Sequence, residues 1–331
     1  MEKPNLALIG CGYWGNIHKK TLCNRPDSTL VYICDLKQPS EALPEGVIFV
    51  NDYNTILRDK SIEGIIIATP TFTHYDLSKR CLEAGKNVLV EKPLTTNSKE
   101  ALELCQIADN KSLILITGEI FRFNPALKEI KRRIDSGELG NLRFIDSRRV
   151  APGPIRYDVS ALWDLATHDV YISNLLVGDL PTSVSYSGIS FNGHIDDVVT
   201  LILKYGRQNV ISTINVNWIH PVKERKLFVA GSKKALCFDD MNPEKKITIF
   251  DICIDYLPAE DNKFKATINN NGFSDPIHEL GQPLELEQKE FIRAIVEGTY
   301  SVTNNYDGLN TVRILEAAEE SKRSRGIEIY I

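Results

Sequence analysis

The first 35 residues contain the pattern that most restricts how this chain can fold. An apolar run at residues 6–9 is followed by Gly10-Cys11-Gly12-Tyr13-Trp14-Gly15, which has the spacing G-x-G-x-x-G. A short helical pattern and a second apolar run at residues 30–34 then lead to Asp35. A strand, a glycine-rich turn, a helix and a strand that ends in an acid together indicate a dinucleotide-binding βαβ unit.

Each part of this pattern has a physical reason. Gly10 permits the tight turn, Gly12 lets the backbone approach a pyrophosphate, and Gly15 allows close packing of helix against strand. The amino end of the helix offers unpaired N–H groups and the positive end of its dipole to the phosphates. The carboxylate of Asp35 can bind the hydroxyls of the adenosine ribose. The alternative is a tight turn in a flavodoxin-like fold with an ordinary surface aspartate.

Asp35 also bears on the choice of cofactor. The 2′-phosphate of NADP would meet a like charge at this position, which is unfavourable in a partly desolvated crevice. We therefore expect NAD as the cofactor. Lys37 could swing in and neutralise the phosphate, which leaves NADP open.

The composition is that of an ordinary globular protein. The 331 residues are 43% hydrophobic and 25% charged, with a net charge of −5 and no long run of either sign. We therefore expect no nucleic-acid partner and no polybasic membrane surface, and no apolar run is long enough to span a bilayer. The N-terminus enters the first strand without a signal peptide, so we expect a cytoplasmic protein.

The cysteines and histidines do not predict a metal site. The seven cysteines are scattered and form no C-x-x-C, and the six histidines form no H-x-x-x-H or H-E-x-x-H. We therefore expect reduced thiols and no bound metal.

The order of secondary-structure patterns divides the chain in two. Up to residue 117, apolar β runs alternate with amphipathic helices, which predicts an α/β fold with a parallel, doubly wound Rossmann sheet. Strand patterns then cluster between residues 142 and 254, which predicts an α+β domain built on a large, mostly antiparallel open sheet. The expected domains are 1–122 and 123–331, with the final helix able to pack back on the first. Residues 259–282 are polar and ill-defined, and Asn269-Asn270-Asn271-Gly272 within them predicts a mobile loop.

Two motifs follow central strands of the predicted parallel sheet. Thr69-Pro70-Thr71, with His74 just after it, and Glu91-Lys92-Pro93 lie at carboxyl ends, where a doubly wound sheet binds its ligand. Lys92 would project towards the nicotinamide, and Pro93 would hold its backbone in a non-helical turn. The alternatives are a solvent-exposed His74 at a helix start and an exposed Lys92 at a strand end.

Asp164 and His168 are spaced i, i+4 within a predicted helix. They would therefore lie on one helix face, in a fairly apolar segment. A carboxylate one turn from an imidazole can orient the ring and raise its basicity. The alternative is a structural Asp–His pair on a domain surface.

These motifs occur in one order over nearly the whole chain. They are Gly10-x-Gly12-x-x-Gly15, Ala68-Thr69-Pro70-Thr71-x-x-His74, Glu91-Lys92-Pro93, Phe121-Arg122-Phe123-Asn124-Pro125, Asp164-x-x-x-His168 and Asp307-Gly308-Leu309. In this arrangement the chain resembles the Gfo/Idh/MocA oxidoreductase family. The resemblance implies NAD(P)-dependent oxidation of a sugar or polyol hydroxyl by an N-terminal Rossmann domain joined to a C-terminal domain with an open sheet. It also implies homodimers or homotetramers formed sheet to sheet.

The resemblance further implies roles for individual residues. The catalytic set would be Lys92, Asp164 and His168. The cofactor would contact Gly10, Gly12, Tyr13, Trp14, Gly15, Asp35, Thr69, Pro70, Thr71, His74, Glu91, Lys92 and Arg122. The substrate would contact Lys92, Arg122, Asn124, Trp163 and His168.

The substrate class is the least determined expectation. Residues 217–225 and 283–287 resemble family members associated with nucleotide-sugar oxidation, and Arg156, Lys223 and Arg225 are candidates to hold a diphosphate, or else solvated charges. We therefore expect NAD-dependent oxidation of a secondary hydroxyl of a nucleotide sugar. The alternatives are a dehydrogenase of a free sugar or inositol, a non-catalytic NAD-binding sensor, and an NAD-dependent glycosidase.

Overall fold

The computed structural model describes residues 3–39, 41–191, 193–258, 264–276, 281–300 and 302–331. The chain forms two compact units, Met1–Phe123 with Gly281–Arg313, and Asn124–Leu280 with Ile314–Ile331. The first boundary lies beside the predicted one. The segment 281–313, however, belongs with the first unit although it comes late in the chain.

The described residues form the following elements in chain order. The strands are β1 (Asn5–Ile9), β2 (Thr29–Cys34), β3 (Ile48–Val50), β4 (Ile62–Ile67), β5 (Asn87–Glu91), β6 (Leu115–Gly118), β7 (Leu142–Pro152), β8 (Ser183–Ile189), β9 (Val198–Tyr205), β10 (Val210–Asn217), β11 (Ile219–Gly231), β12 (Ala235–Asp239), β13 (Ile247–Pro258), β14 (Phe264–Ser274) and β15 (Ile329–Tyr330). The helices are α1 (Tyr13–Cys23), α2 (Asn54–Arg58), α3 (His74–Glu83), α4 (Ser98–Lys111), α5 (Pro125–Asp135), α6 (Thr167–Val177), α7 (Pro283–Glu297) and α8 (Tyr306–Arg323). Short 3₁₀ helices lie at Thr71–Thr73 and Ile120–Phe123, and a π-helix at Leu162–Ala166.

The first unit is built on a parallel sheet of six strands in the order β3-β2-β1-β4-β5-β6. Its central strands are apolar and buried, as in a sheet covered on both faces, and Leu8, Ile66 and Leu89 lie in its core. The chain runs outward in opposite directions from β1 and β4, which places the ligand crevice outside the carboxyl ends of these strands. The predicted Rossmann fold is confirmed.

Helices from the end of the chain complete this first unit. Phe291 and Ile292 of α7 belong to the same buried cluster as Leu8 and Ile66. Near the start of α8, a Cβ added to Gly308 would lie 2.1 Å from the Thr117 hydroxyl oxygen. The close approach of this helix to β6 therefore gives a packing reason for the glycine of the Asp307-Gly308-Leu309 motif.

The second unit is built on a sheet of nine strands in the order β14-β13-β12-β11-β7-β10-β9-β8-β15. Neighbouring strands are antiparallel except for β7 and β10, which are parallel. Helix α6 packs on one face, through β7 and β10. The predicted large, mostly antiparallel sheet is confirmed.

The other face of this sheet carries partly exposed apolar side chains. Phe144, Ile202, Ile211 and Phe228 alternate with buried residues on their strands and are between 37% and 41% exposed. The strand register places Ile211 beside Phe144. We call these four residues the open-face patch.

One expectation for this unit is wrong. Residues 269–272, predicted as a loop, lie within β14, which pairs antiparallel with β13. The side chains of Ile268 and Phe273 are 70% and 71% exposed. Because this strand is defined by backbone pairing and not by burial, it has no alternating apolar pattern that could predict it.

Candidate active site

The glycine-rich loop between β1 and α1 has little room for side chains. Gly10 has φ +97°, and a Cβ added there would lie 2.6 Å from the Ala68 carbonyl oxygen, while one on Gly15 would lie 2.0 Å from the Gly10 carbonyl oxygen. A Cβ on Gly12 would meet no described atom within 4 Å. Gly10 and Gly15 are therefore needed for packing, whereas Gly12 leaves the approach to the loop open, as a pyrophosphate requires.

Asp35 contacts this same loop. It follows β2, is partly buried, and its Oδ2 accepts a hydrogen bond from the Cys11 backbone N–H at 2.6 Å. Helix α1 begins at Tyr13 with no acidic residue in its first turn, so nothing in that turn offsets the positive end of its dipole. These residues fit NAD. The loop and helix start would hold the pyrophosphate and Asp35 would hold the ribose, with the exposed Tyr13 and partly buried Trp14 beside them.

His74 joins the two motifs that were predicted at neighbouring carboxyl ends. It lies 1% exposed at the start of α3, with Nδ1 2.8 Å from the Pro93 carbonyl oxygen and Nε2 2.9 Å from that of Thr69. Burial lowers the pKa of His74, although the two carbonyls act in the opposite direction. His74 is therefore a buried link between the motifs and not a solvent-exposed residue. Within the first motif, Pro70 is exposed and Thr71 is buried.

Lys92 follows β5 at the carboxyl edge of the first sheet and is partly exposed. The peptide bond between Lys92 and Pro93 is cis. Glu91, predicted to contact the cofactor, is only 6% exposed. Its Oε1 lies 2.9 Å from His18 Nε2, and its Oε2 accepts a hydrogen bond from the Lys92 backbone N–H at 3.2 Å. Both carboxylate oxygens of Glu91 are thus engaged within the protein, behind the turn that presents Lys92.

Behind this turn lies a buried polar cluster that was not predicted from the sequence. It consists of His18, Glu91, Glu119, Glu287 and Gln288. Burial, together with the charges of Glu91 and Glu119, raises the pKa of Glu287 well above its ordinary value. A signal for two of these residues was present, because Glu287 and Gln288, like Glu290, are polar residues on the buried stripe of α7. Polar residues on such a stripe require hydrogen bonds or a function.

Arg122 and Asn124 belong to different units. Arg122 lies partly exposed in the 3₁₀ helix after β6. Burial raises the pKa of Asp307, and the charge of Arg122 partly opposes this rise. Asn124 is 6% exposed, and its Oδ1 accepts hydrogen bonds from the backbone N–H groups of Ala126 and Leu127 at 2.9 and 3.3 Å. Asn124 is therefore the N-cap of α5, and its contact with substrate stays a prediction.

Asp164 and His168 lie on one continuous helical segment of the second unit. Asp164 is in the π-helix and His168 in the first turn of α6, both partly buried. A π turn within an α-helix is frequent at functional sites. The Asp164 Oδ1 accepts a hydrogen bond from Arg156 Nη1 at 3.0 Å, and Arg156 also pairs with Asp158 at 2.5 Å. Two carboxylates therefore offset the charge of Arg156, which weakens its candidacy for a diphosphate.

The start of α6 is anchored to the sheet by a buried ion pair that was likewise not predicted from the sequence. Asp169, next to His168, accepts hydrogen bonds from Arg149 Nε at 2.7 Å and Ser147 Oγ at 2.5 Å. Arg225 lies opposite Arg149 on the neighbouring strand. Burial and the charge of Arg149 lower the pKa of Arg225, which also pairs with Asp240 at 3.6 Å.

The remaining predicted residues of this unit differ in exposure. Trp163 is 8% exposed, and its indole N–H donates to Glu319 Oε1 at 3.3 Å. Lys223 is exposed on β11. Lys223 therefore remains accessible to a diphosphate, whereas little of the Trp163 side chain is accessible to a substrate.

The seven cysteines are all free thiols. Within the described residues, no group of three or more histidine, cysteine or acidic side chains could hold a metal ion. No helix in the described part of the chain is long and apolar enough to cross a membrane.

Similar proteins extend over nearly the whole chain. The inositol 2-dehydrogenase of Rhizobium meliloti (strain 1021) is 26% identical over 95% of this chain and 96% of its own length. The UDP-N-acetylglucosamine 3-dehydrogenase of Acidithiobacillus ferrooxidans is 32% identical over 56% of this chain and 58% of its own. A crystal structure of a protein from Magnetospirillum magnetotacticum MS-1 has a TM-score of 0.81 at 28% identity, covering 96% of this chain and 99% of that one.

Two family models match successive parts of the sequence. Residues 5–119 match the oxidoreductase family with an NAD-binding Rossmann fold, and residues 127–237 match the GFO/IDH/MocA C-terminal domain. The glycine-rich loop, Asp35 and the six-stranded sheet all lie within the first match, and α6 with the centre of the nine-stranded sheet lies within the second. This chain therefore belongs to the Gfo/Idh/MocA family of oxidoreductases and has NAD as its cofactor.

Proposed function

We propose that this protein oxidises a secondary hydroxyl of a sugar, with NAD as the hydride acceptor, and that the sugar is carried on a nucleotide. The observation that carries the proposal is the carboxyl edge of the first sheet, where the glycine-rich loop, Asp35 and Lys92 follow β1, β2 and β5. The two named relatives support the reaction type, since one is a dehydrogenase of inositol and the other of a UDP-sugar.

The chemistry assigns a role to each predicted catalytic residue. Oxidation of a secondary alcohol to a ketone removes a proton from oxygen and a hydride from carbon, and bound NAD would accept the hydride at nicotinamide C4. His168 accepts the proton, because an imidazole titrates near neutral pH. Lys92 donates a hydrogen bond to the oxygen and stabilises the alkoxide charge that develops on it. Asp164, one turn before His168, orients the ring and stabilises the imidazolium that forms.

The nucleotide part of the proposal depends on basic side chains of the second unit. With Arg156 paired to two carboxylates, Arg225 and Lys223 are the remaining candidates for the diphosphate. Arg225 suits this role because its guanidinium can bind two oxygens at once, and its ion pair with Asp240 is longer, at 3.6 Å, than those of Arg156.

A dehydrogenase screen tests the substrate class. NAD would be supplied with UDP- and dTDP-sugars, free glucose and myo-inositol, and NADH formation followed by absorbance. We expect turnover of at least one nucleotide sugar with a higher kcat/KM than either free compound. Efficient turnover of myo-inositol or glucose, with none of the nucleotide sugars, would identify a dehydrogenase of free sugars or inositol instead.

The same assay separates this proposal from two other classes of function. A non-catalytic sensor would bind NAD and turn over no sugar. An NAD-dependent glycosidase would release a sugar from a glycoside without net formation of NADH. Net NADH, matched by formation of a ketone, therefore distinguishes the dehydrogenase from both.

We also propose that two copies of the chain associate through the open-face patch. A set of partly exposed apolar residues of this kind is unusual on a face that stays in water, and it commonly marks a protein–protein contact. The resemblance to the family favours a homodimer or homotetramer formed in this way.

A further inference from the structure

The turn that carries Lys92 is held on both sides by a buried histidine. His18 contacts Glu91, the residue before Lys92, and His74 contacts Pro93, the residue after it. The two histidines are 0% and 1% exposed. Because neither imidazole is exposed, neither can contact a substrate directly. Any effect of these histidines on the reaction therefore acts through the turn that carries Lys92.

On the first side, the contacts form a chain that ends at the backbone of Lys92. Gln288 Nε2 lies 3.1 Å from His18 Nδ1, and His18 Nε2 lies 2.9 Å from Glu91 Oε1. The other oxygen of the same carboxylate, Oε2, accepts the Lys92 N–H at 3.2 Å. This chain of hydrogen bonds thus links α7, α1 and β5 to the backbone amide of Lys92.

The direction of these bonds follows from Gln288. Its Nε2 also lies 3.3 Å from the His18 carbonyl oxygen, which can only accept a hydrogen bond. The amide nitrogen, and not the amide oxygen, therefore faces His18, and it donates to Nδ1. A ring that accepts at Nδ1 carries its proton on Nε2, where it donates to Glu91. Gln288 thereby selects the tautomer that holds the Glu91 carboxylate.

On the second side, His74 ties the turn to the neighbouring strand end. Its two ring nitrogens face the carbonyl oxygens of Pro93 and Thr69, which follow β5 and β4. A neutral imidazole carries a single N–H, so it donates a hydrogen bond to one of these carbonyls and packs against the other. The buried ring therefore lies between the carboxyl ends of β4 and β5 and restrains both.

We propose that His18 and His74 are positioning residues for Lys92, with Gln288 orienting His18. This inference rests on the proposed role of Lys92 and deepens it. An ammonium group on a flexible stem stabilises an alkoxide only if its backbone is held in place, and a displacement of about 1 Å can reduce a catalysed rate on the order of 10²-fold. The buried histidines supply that restraint without touching the reacting atoms.

The test compares four variants of the full-length protein with the wild type. His18→Leu removes both ring nitrogens, whereas His18→Gln keeps an amide N–H near the position of Nε2. His74→Leu removes the second restraint. The matched control is Lys86→Met, which removes another buried polar tie of the same unit, from Lys86 Nζ to the carbonyl oxygens of Asp59 and Ile62 near the amino end of β4.

Three quantities are measured at a temperature well below each melting transition. They are kcat, the NAD dissociation constant, and the hydrogen-exchange rate of the Lys92 amide by NMR. We expect His18→Leu and His74→Leu to lower kcat by about 10- to 100-fold while the NAD dissociation constant changes less than about threefold. His18→Leu should also accelerate Lys92 exchange, because Glu91 is released. His18→Gln should retain most of both, and Lys86→Met should alter stability alone.

The readouts separate failure of this inference from failure of the proposed function. If the wild type oxidises no sugar, the proposed function is wrong, and Lys92 exchange still decides whether His18 restrains the turn. Unchanged exchange and unchanged kcat in His18→Leu would overturn the inference. So would a loss in His18→Gln as large as in His18→Leu. Should His18→Leu fail to fold, Gln288→Leu applies the same test, with faster Lys92 exchange as the expected result.

Discussion

Lys92 and His168 are the two side chains on which the proposed chemistry depends. Each sits next to a buried residue with a fixed geometry: Glu91 precedes Lys92 and is bound by His18, and Asp169 follows His168 and is bound by Arg149. The partly exposed side chain remains accessible to a substrate, and its buried, hydrogen-bonded neighbour holds the backbone beside it in a fixed orientation. At the residue scale, this arrangement is the strongest support for both assignments.

We expect His168→Ala and Lys92→Met each to lower kcat by roughly 10²–10⁴-fold, the usual effect of removing a general base or a charge-stabilising group. NAD should still bind, because the glycine-rich loop and Asp35 are unaltered. Asp164→Ala should have a smaller effect, since its role is to orient His168. Steady-state kinetics with the best substrate, together with NAD titration, make the comparison. Near-normal kcat in both His168→Ala and Lys92→Met would refute the assignment.

Asp35 leads to a prediction on cofactor choice. Its carboxylate is held by the Cys11 N–H at 2.6 Å, so it cannot easily move away from an added phosphate. We expect a higher kcat/KM with NAD than with NADP, and we expect Asp35→Ala to reduce that ratio about tenfold or more, as removal of a like-charge contact should. Lys37→Ala is the control, and it should lower activity with NADP only. A wild-type preference for NADP would show that Asp35 has been misinterpreted.

Helix α7 is the element that most changes the interpretation of the first unit. It contributes Phe291 and Ile292 to the core, and it brings Glu287 and Gln288 to the carboxyl edge of the sheet. A helix that only covered a sheet would place apolar residues at all four positions. The polar pair therefore indicates that α7 supports the site as well as the fold.

Glu287 leads to a prediction on stability. Burial and the charges of Glu91 and Glu119 raise its pKa in the folded state above its unfolded value of about 4.3. Between these two pKa values the folded protein binds the extra proton, so this group makes the free energy of unfolding fall as pH rises from about 4 towards the folded pKa. Glu287→Gln cannot titrate. Its melting temperature should match the wild type near pH 4 and exceed it increasingly at higher pH.

Thermal melts across this pH range provide the measurement. The control is Glu285→Gln, an exposed residue on the same helix, which should follow the wild type throughout. Parallel curves for Glu287→Gln and wild type would mean that Glu287 does not retain its proton in the folded protein.

At the scale of the whole molecule, the open face of the nine-stranded sheet is the feature that concerns assembly. One face of this sheet is covered by α6, whereas the other presents the open-face patch. An antiparallel sheet can leave one face in water, but apolar side chains grouped on such a face commonly mark a protein–protein contact.

We expect the protein to be a homodimer or homotetramer by light scattering after size-exclusion chromatography. The double substitution Ile202→Lys and Ile211→Lys places two charges in the patch, and burying them would oppose association. It should therefore produce monomers that retain the wild-type far-ultraviolet circular dichroism. Tyr157→Lys, at a residue that is 95% exposed outside the sheet, is the control and should leave the assembly intact. An unchanged mass for the double variant would exclude this face as the interface.

The sequence by itself determined the features that depend on short-range rules. The parallel sheet follows from the alternation of apolar β runs with helices. The cofactor loop follows from the spacing of its glycines, because at Gly10 and Gly15 there is no space for a side chain. The placement of Asp35 beside that loop follows from the geometry of one βαβ unit. These are local consequences of backbone conformation and side-chain period, so they can be predicted without knowing the rest of the fold.

Only the tertiary structure decided which distant residues share a site. Gln288 contacts His18 across 270 positions in the sequence, and this contact exists because the chain returns to the first unit at α7 after residues 124–280 of the second unit. The strand β14 was likewise decided by pairing with β13 and not by its own polar sequence. The Gln288–His18 contact and the β13–β14 pairing both form because separate segments of the chain gain free energy when they meet. Neither kind of contact leaves a periodic pattern of apolar residues in the sequence of the segments that make it.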